Sequence, residues 1–359
     1  FRAVHPGEVL REELKERGIT QKELARMMGV QPTHLNEFIK GKRNMTEELA
    51  MKLEAQLGIS FSSWMNLHSG YVYDLERIRQ RDEEEQKAVD YEEGCRALFN
   101  LNLLYKRLEI GAVSVAKRVK RLKELFGFDL LAAGELRAQV AGLYKHSEKV
   151  QVDEKNMLTW LLLNHLAIEQ KGRCVGYVRG GATKAAAEIA RMANEQRASV
   201  AEIARCLGSY GITYVEVERV EKAPVDAYSC LVDGAPVVSV TYRHNDLDKL
   251  VFDVLHELYH IDHHLGGETQ AFITVDDVDY SSDPREKEAN DFARTMLIPD
   301  AAWSGIMKAG CRSLSPHRVV KTIAEEAAKR GISPSIAVAR YKHDANWYQT
   351  KAYRSPKIR

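Results

Sequence analysis

The chain has 359 residues and a formal net charge of +1. That is room for two or three domains, with a whole-protein field that selects neither nucleic acid nor a membrane surface. No run of eighteen apolar residues and no signal-peptide pattern occurs, so membrane-spanning classes are excluded and a soluble, cytoplasmic protein is expected. The cysteines, Cys95, Cys174, Cys206, Cys230 and Cys311, are scattered without a CxxC pair, which excludes a disulfide framework and a cysteine zinc cluster.

Residues 1–70 are dense in short helical signals. Thr20 with Glu23 three residues on forms a capping box. It opens a helix from Gln21 to Met28 that stops at Gly29. Pro32 opens a second helix, Thr33 to Ile39, stopped by Gly41. Two short helices joined by a glycine-containing turn make a helix-turn-helix, with Leu24, Ala25, Met28, Val30, Leu35 and Ile39 as its core. The outward face of the second helix carries Gln31, Thr33, His34, Asn36 and Glu37, short polar side chains suited to base edges in the major groove. Lys40, Lys42 and Arg43 follow and suit phosphates, and Gln21, which opens the first helix, joins this DNA-facing set. Thr46 caps a further helix, Glu47 to Leu57. A small helical protein-interaction domain is the alternative, since the basic residues are matched by glutamates in the first helix.

Residues 17–43 resemble the Cro/repressor type of helix-turn-helix. The longer stretch, from His5-Pro6-Gly7-Glu8 through Gly41-Lys42-Arg43 to Ser63-Trp64-Met65-Asn66-Leu67, resembles HigA-type antitoxins. That resemblance implies that the Pro32–Ile39 helix reads operator double-stranded DNA and that the protein acts as a homodimer on a palindrome. It also implies a protein partner, a cognate toxin.

Residues 74–98 are charged and helical, with an acidic run Asp82-Glu83-Glu84-Glu85, and read as a linker helix or part of a dimer seam. The basic cluster Lys117-Arg118-Val119-Lys120-Arg121-Leu122-Lys123 reads as a helix face rather than an extension of the DNA contact. Residues 100–207 read as mostly helical and carry no evident chemistry. The segment Ile212–Glu218 alternates like a strand, and Ala227–Val232, Asp233-Gly234 and Pro236–Thr241 read as a tight hairpin. An edge of such a sheet suits an extended peptide added as a further strand.

The segment Val254-Leu255-His256-Glu257-Leu258-Tyr259-His260 holds an HExxH motif in an amphipathic run capped by Asn245 or Asp246 and stopped at Gly266-Gly267. On a helix, His256 and His260 lie one above the other, so both imidazoles can reach one metal ion, with Glu257 placed to take a proton from a water there. Such a site needs a third protein ligand. Asp283-Pro284 opens a second helix that ends before Pro299; on it Glu286 is the candidate ligand, Glu288 its competitor, and Asn290 a group that would orient an imidazole. Cys230, on the hairpin, is read as a buried apolar cysteine rather than an inhibitory thiolate.

His256-Glu257-Leu258-Tyr259-His260 followed by Glu286-Lys287-Glu288-Ala289-Asn290-Asp291-Phe292-Ala293 resembles the ImmA/IrrE family of metallopeptidases. The resemblance covers roughly residues 170–310. It implies Zn2+ held by His256, His260 and Glu286, Glu257 as general base, and a regulator protein as substrate under stress. His264 matches a histidine that often follows in the family and is read as lying outside the ligand set or at the surface. The tail, Gly331 to Tyr341, resembles a terminal motif of HigA-type proteins fused to this peptidase, with a packing role.

The expected architecture is therefore mainly α with a small α+β zincin-like domain. It comprises a helix-turn-helix bundle (1–70), a helical middle (71–170), a metallopeptidase domain with a short antiparallel sheet (171–310) and a helical tail (311–359). The expected function is a DNA-binding, antitoxin-like transcriptional regulator carrying a zinc endopeptidase. The alternative is a non-proteolytic antitoxin or repressor whose peptidase fold serves as sensor or scaffold.

Overall fold

The computed structural model describes residues 2–132, 134, 152–267, 270–275, 283–310, 316–347 and 352–358. Cys311 and residues 135–151 of the helical middle lie outside them. The chain forms two compact units, residues 1–92 with 114–119 and residues 93–113 with 120–359.

The first unit holds α1 (Pro6–Arg17), α2 (Gln21–Met28), α3 (Pro32–Ile39), α4 (Glu47–Leu57) and most of the 38-residue helix α5 (Phe61–Leu98), which runs unbroken through residue 70. The Thr20–Glu23 capping box is formed in both directions, and α2 ends at Gly29 with φ 63°, a left-handed cap that costs glycine nothing. Thr46 caps α4 through the Leu49 N–H. The core gathers Leu10, Leu14, Leu24, Ala25, Met28, Leu35, Phe38, Ile39, Leu53 and Trp64. Phe38, absent from the sequence-based core, is 1% exposed, whereas Val30 is only partly buried. The buried stripe of α3 is Leu35-Phe38-Ile39 at helical spacing, and Val30 sits in the turn outside it. Arg118 forks onto Glu92 at 2.7 and 3.1 Å, the bidentate geometry that suits a partly buried pair.

The second unit contains α6 (Leu101–Arg107), α7 (Val115–Phe126, shared with the first), α8 (Glu154–Lys171), α9 (Gly181–Asn194), α10 (Val200–Ser209), α11 (Leu247–His263), α12 (Pro284–Leu297), α13 (Asp300–Gly310), α14 (Pro316–Ala328) and α15 (Pro334–Asp344). Its sheet has four strands, β1 (Thr213–Glu216), β2 (Val225–Val232), β3 (Ala235–Val240) and β4 (Ala271–Val275), in the order β1-β3-β2-β4. The β2–β3 hairpin turns on Asp233 (φ 49°) and Gly234 (φ 79°), the pair of left-handed residues that a two-residue turn needs to follow the strand twist.

The sheet is the expected antiparallel one only in part: β2 pairs antiparallel with β3 and β4, but a parallel strand is added. β1 runs parallel to β3, in register from Thr213↔Val237 to Glu216↔Val240, and β4 adds to the free side of β2. The chain leaves β1, crosses to lay down β2 one place beyond, and returns as β3 between them. The middle strand of the three is therefore the last made, and a hairpin reading alone could not place it.

The helix α11 is held between the sheet, α9 and α12. Asp246 is its N-cap, accepting from the Lys249 N–H at 3.1 Å. Leu250, Val251, Val254, Leu255, Leu258 and Ile261 enter the core, each worth roughly 1.5–3 kcal/mol when fully buried. Unusually, the polar residues of this helix are buried too: His256, Glu257, His260 and Asp262 are all 4% exposed or less. Polar groups at that depth persist only when each is partnered.

Asp262 has a full set of partners. Its carboxylate accepts from the Gly180 N–H at 2.7 Å, from the Thr183 N–H and hydroxyl at 2.7 Å each, and from the Tyr177 hydroxyl. These donors fasten the N-terminus of α9 to the last turn of α11, where the helix dipole also favours an anion. Burial alone pushes the carboxyl up, but the Tyr177, Thr183 and Gly180 hydrogen bonds outweigh it and hold Asp262 below its usual value of 3.8. At the far end of the unit, Asn194 donates to the Leu297 carbonyl at 2.9 Å and accepts from the Ser333 N–H at 3.1 Å, and α15 buries Ile336, Ala337 and Val338.

Asp262→Ala strands several donors in a buried site and is expected to cost about 2–4 kcal/mol in urea unfolding of the second unit. Because the folded carboxyl titrates below 3.8, this contribution is complete above that pH and is lost as pH falls through the depressed value. The gap between wild type and variant should therefore close in strong acid; a gap independent of pH would refute the ionic clamp.

Candidate metal centre and nucleic-acid interface

One helical turn separates His256 from His260 on α11, and their rings face inward with Nε2 atoms 2.9 Å apart. Glu286 comes from α12, whose start is set by Asp283 accepting from the Arg285 N–H and by Pro284 in the first turn. Glu286 Oε2 lies 3.1 Å from His256 Nε2 and Oε1 lies 3.5 Å from His260 Nε2. Among the described residues, these three buried side chains place their ligand atoms within 4.8 Å of one another. A tetrahedral ion with bonds of about 2.0–2.1 Å asks for ligand atoms about 3.3 Å apart, and two nitrogens with one carboxylate oxygen suit zinc. Glu286 Oε2 is fully buried yet makes no well-formed hydrogen bond. A buried carboxylate oxygen met only by imidazole is one that a cation between these side chains would satisfy. The residues present thus fit a zinc-class ion.

Asn290 Oδ1 stands 3.1 Å from His256 Nδ1, which directs the His256 Nε2 toward the centre. Glu288, the competitor, is exposed and does not reach the centre. His260 stacks on Phe272 of β4, with centroids 4.1 Å apart and planes 18° from parallel. Burial drives the His260 imidazole well below its ordinary value, helped by the neighbouring His256, His264 and Arg285 charges. His256 also feels burial pushing it down, but the Glu286 carboxylate 3.1 Å away, with the Glu257 and Asp253 charges, carries it above the ordinary value.

Glu257 is 0% exposed, and one of its oxygens accepts from the hydroxyl of Ser229 on β2. Ser229 and Asp262 were not singled out in the sequence. A serine in a strand and an aspartate two residues past an HExxH carry no periodic signal, and their roles arise only from the sheet and α9 packing onto α11. Cys230, the residue after Ser229, does not join the cluster, and burial pushes its thiol up to about 12.

In the first unit, Gln31, Thr33 and His34 are exposed at the start of α3, and Asn36 is half-buried beside them. Gln21 is exposed at the start of α2, and Lys40, Lys42 and Arg43 are exposed just after α3. Glu37 pairs with Arg43 at 3.4 Å, a surface contact worth under about 1 kcal/mol that leaves Arg43 available to a stronger anion. The rear of α3 rests directly on α1. His5 caps α1 by accepting from the Gly7 N–H at 2.9 Å, and its ring meets Phe38 and Tyr71 edge-on at 5.2 and 4.8 Å. A Cβ on Gly7 would lie 2.1 Å from the Phe38 carbonyl oxygen and 2.9 Å from Ile39 Cα. This contact explains the opening His5-Pro6-Gly7: the histidine caps, the proline starts the helix, and the glycine lets two backbones touch.

Gly7→Ala is expected to pry α1 from α3, at a cost of about 2 kcal/mol or more. Hydrogen exchange on the full chain should show lost protection over residues 6–43 with that of α11 and α12 unchanged. Unaltered exchange in α1 and α3 would contradict the close approach.

Residues 10–64 match the helix-turn-helix family. The chain is 38% identical over 79 residues to virulence-associated protein I of Dichelobacter nodosus, covering 22% of this chain and 71% of that protein. It is 39% identical over 89 residues to antitoxin HigA-1 of Vibrio cholerae, covering 24% and 82%. It is also 30% identical over 82 residues to the uncharacterized HTH-type transcriptional regulator YddM of Escherichia coli, covering 21% and 87%. Among solved structures, Pseudomonas aeruginosa antitoxin HigA with the higBA promoter is 31% identical, covering 23% of this chain and 90% of that one, with a TM-score of 0.22. By its N-terminal module the chain belongs to the helix-turn-helix family of HigA-like DNA-binding regulators.

Proposed function

We propose that the protein is an operator-binding regulator whose second unit is a zinc peptidase of the ImmA/IrrE type acting on a protein substrate. The observation that carries the peptidase reading is the convergence of His256, His260 and Glu286 beside a buried Glu257 held by Ser229. A zinc ion held by that set supplies Lewis-acid polarisation of a scissile carbonyl and acidifies a water. To hold the ion, His256 and His260 would present Nε2 lone pairs, His256 giving up the proton that Glu286 favours there, and Glu286 would supply one negative charge. Glu257 takes the proton of the attacking water and returns it to the leaving amine. The Ser229 hydroxyl holds one oxygen of that carboxylate in place.

For the DNA half, Thr33, His34 and Asn36 read base edges, with Gln31 and Gln21 flanking, while Lys40, Lys42 and Arg43 hold phosphates. A homodimer on a palindromic operator is the assembly this implies. The likeness to an antitoxin supports a second reading, in which the protein partner is a toxin held inactive and the second unit is a scaffold or sensor.

On DNA, Thr33→Ala or Asn36→Ala should relax sequence preference by roughly 1–3 kcal/mol per contacted base, while Lys42→Ala or Arg43→Ala should weaken all duplexes alike and lower the salt slope by about 1. Fluorescence anisotropy at several salt concentrations measures both. An operator preference surviving the loss of both Thr33 and Asn36 would remove this face from recognition.

At the metal centre, the purified chain should bind about one zinc-class ion, lost in His256→Ala or Glu286→Ala and kept in Glu257→Gln. Glu257→Gln also separates the two readings. A substrate should accumulate uncut and co-purify with the variant, whereas a toxin should stay neutralised by wild type and variant alike. Metal retained in a His256→Ala, His260→Ala double variant would end the peptidase reading.

A further inference from the structure

His264 lies one turn beyond His260 on the same face, and its side chain is only 10% exposed. Its Nδ1 stands 2.8 Å from the Nδ1 of His260, and its Nε2 stands 3.2 Å from Glu288 Oε2. The Tyr259 hydroxyl also points to Glu288 Oε2, at 3.4 Å. Two ring nitrogens at hydrogen-bond distance share one proton, so one donates and the other accepts. With His260 Nε2 turned to the centre as a lone pair, its Nδ1 carries the hydrogen and donates to His264 Nδ1. His264 must then carry its own hydrogen on Nε2, and that hydrogen faces the Glu288 carboxylate. All three groups are satisfied by a single direction of donation, from His260 through His264 to Glu288.

The two imidazoles of the centre are therefore backed differently. His256 donates its Nδ1 hydrogen to the neutral amide of Asn290 at 3.1 Å. His260 donates to an imidazole that ends on an anion. An anionic terminus makes the donor more electron-rich than an amide does. We propose that His264 and Glu288 are a positioning relay that locks His260 in its metal-binding tautomer and makes it the stronger imidazole donor of the pair. This inference rests on the zinc-site reading. It gives a role to the glutamate that spacing alone left competing with Glu286: α12 sends Glu286 inward, Asn290 behind His256, and Glu288 to the outer end of the relay.

The test uses full-length protein and zinc affinity measured by chelator competition, with the absorption spectrum of the cobalt-substituted protein as a second readout. His264→Phe should weaken zinc about 10–100-fold, and Glu288→Gln should weaken it less, about 3–10-fold, with one ion per chain retained in both. Each should shift the cobalt bands. Because Glu288 acts through His264, adding Glu288→Gln to His264→Phe should change nothing further. Glu288→Asp should recover part of the affinity lost in Glu288→Gln. Glu288 is exposed, so Glu288→Gln should leave the melting of the metal-free protein unchanged. Zinc affinity and cobalt bands identical to wild type in Glu288→Gln, or additive losses in the double variant, would overturn the relay while leaving the metal site intact. A wild-type chain that binds no zinc at all would instead overturn the site reading and the relay with it.

Discussion

Burying a helix that carries His256, Glu257, His260 and Asp262 is the constraint around which the second unit is organised. Each of these groups is costly in a low-dielectric core, and the fold meets each cost with a different element. The loop before α9 and the first turn of α9 serve Asp262, β2 serves Glu257 through Ser229, and α12 serves both histidines. Remove any one of these neighbours and α11 holds an unsatisfied polar group in the core. The apolar half of α11 drives burial, and the polar half dictates which neighbours are acceptable.

The first unit depends on a simpler contact, the touching backbones of α1 and α3 at Gly7 and Phe38. It fixes the rear of α3, so its front can carry polar, exposed side chains without loss of packing. The division of labour is plain in α3 and its N-cap: Leu35, Phe38 and Ile39 face in, and Gln31, Thr33 and His34 at its opening are exposed. Among the described residues no helix is long and apolar enough to cross a membrane.

Much of this was legible in the sequence where a local rule suffices. The capping box at Thr20, the glycine stops, the Asp233-Gly234 turn and the i, i+4 histidines each depend on a few consecutive residues. What escaped needs distant chain. β1 pairs in parallel with β3 because a hairpin is threaded beside it; α11 stops at His263, before the expected Gly266-Gly267, and β4 follows with only five residues of signal. Asp262 carries no local signal, and its donors come from α9 and the loop before it. Glu286 and Glu288 were indistinguishable by spacing, and the turn of α12 separates them, sending one inward and leaving the other exposed.

The three converging side chains come from two segments separated by the β4 strand, and the clamp on Asp262 comes from a third, some eighty residues upstream. A growing or broken chain therefore passes through a long stage in which the HExxH helix exists without Glu286 to complete its cluster. Any fragment ending before residue 286 carries two histidines and no carboxylate partner. Full assembly of the chain becomes a safeguard: the three-residue cluster is withheld from every partial product, and a single cut between β4 and α12 that lets the two halves separate is enough to take it apart.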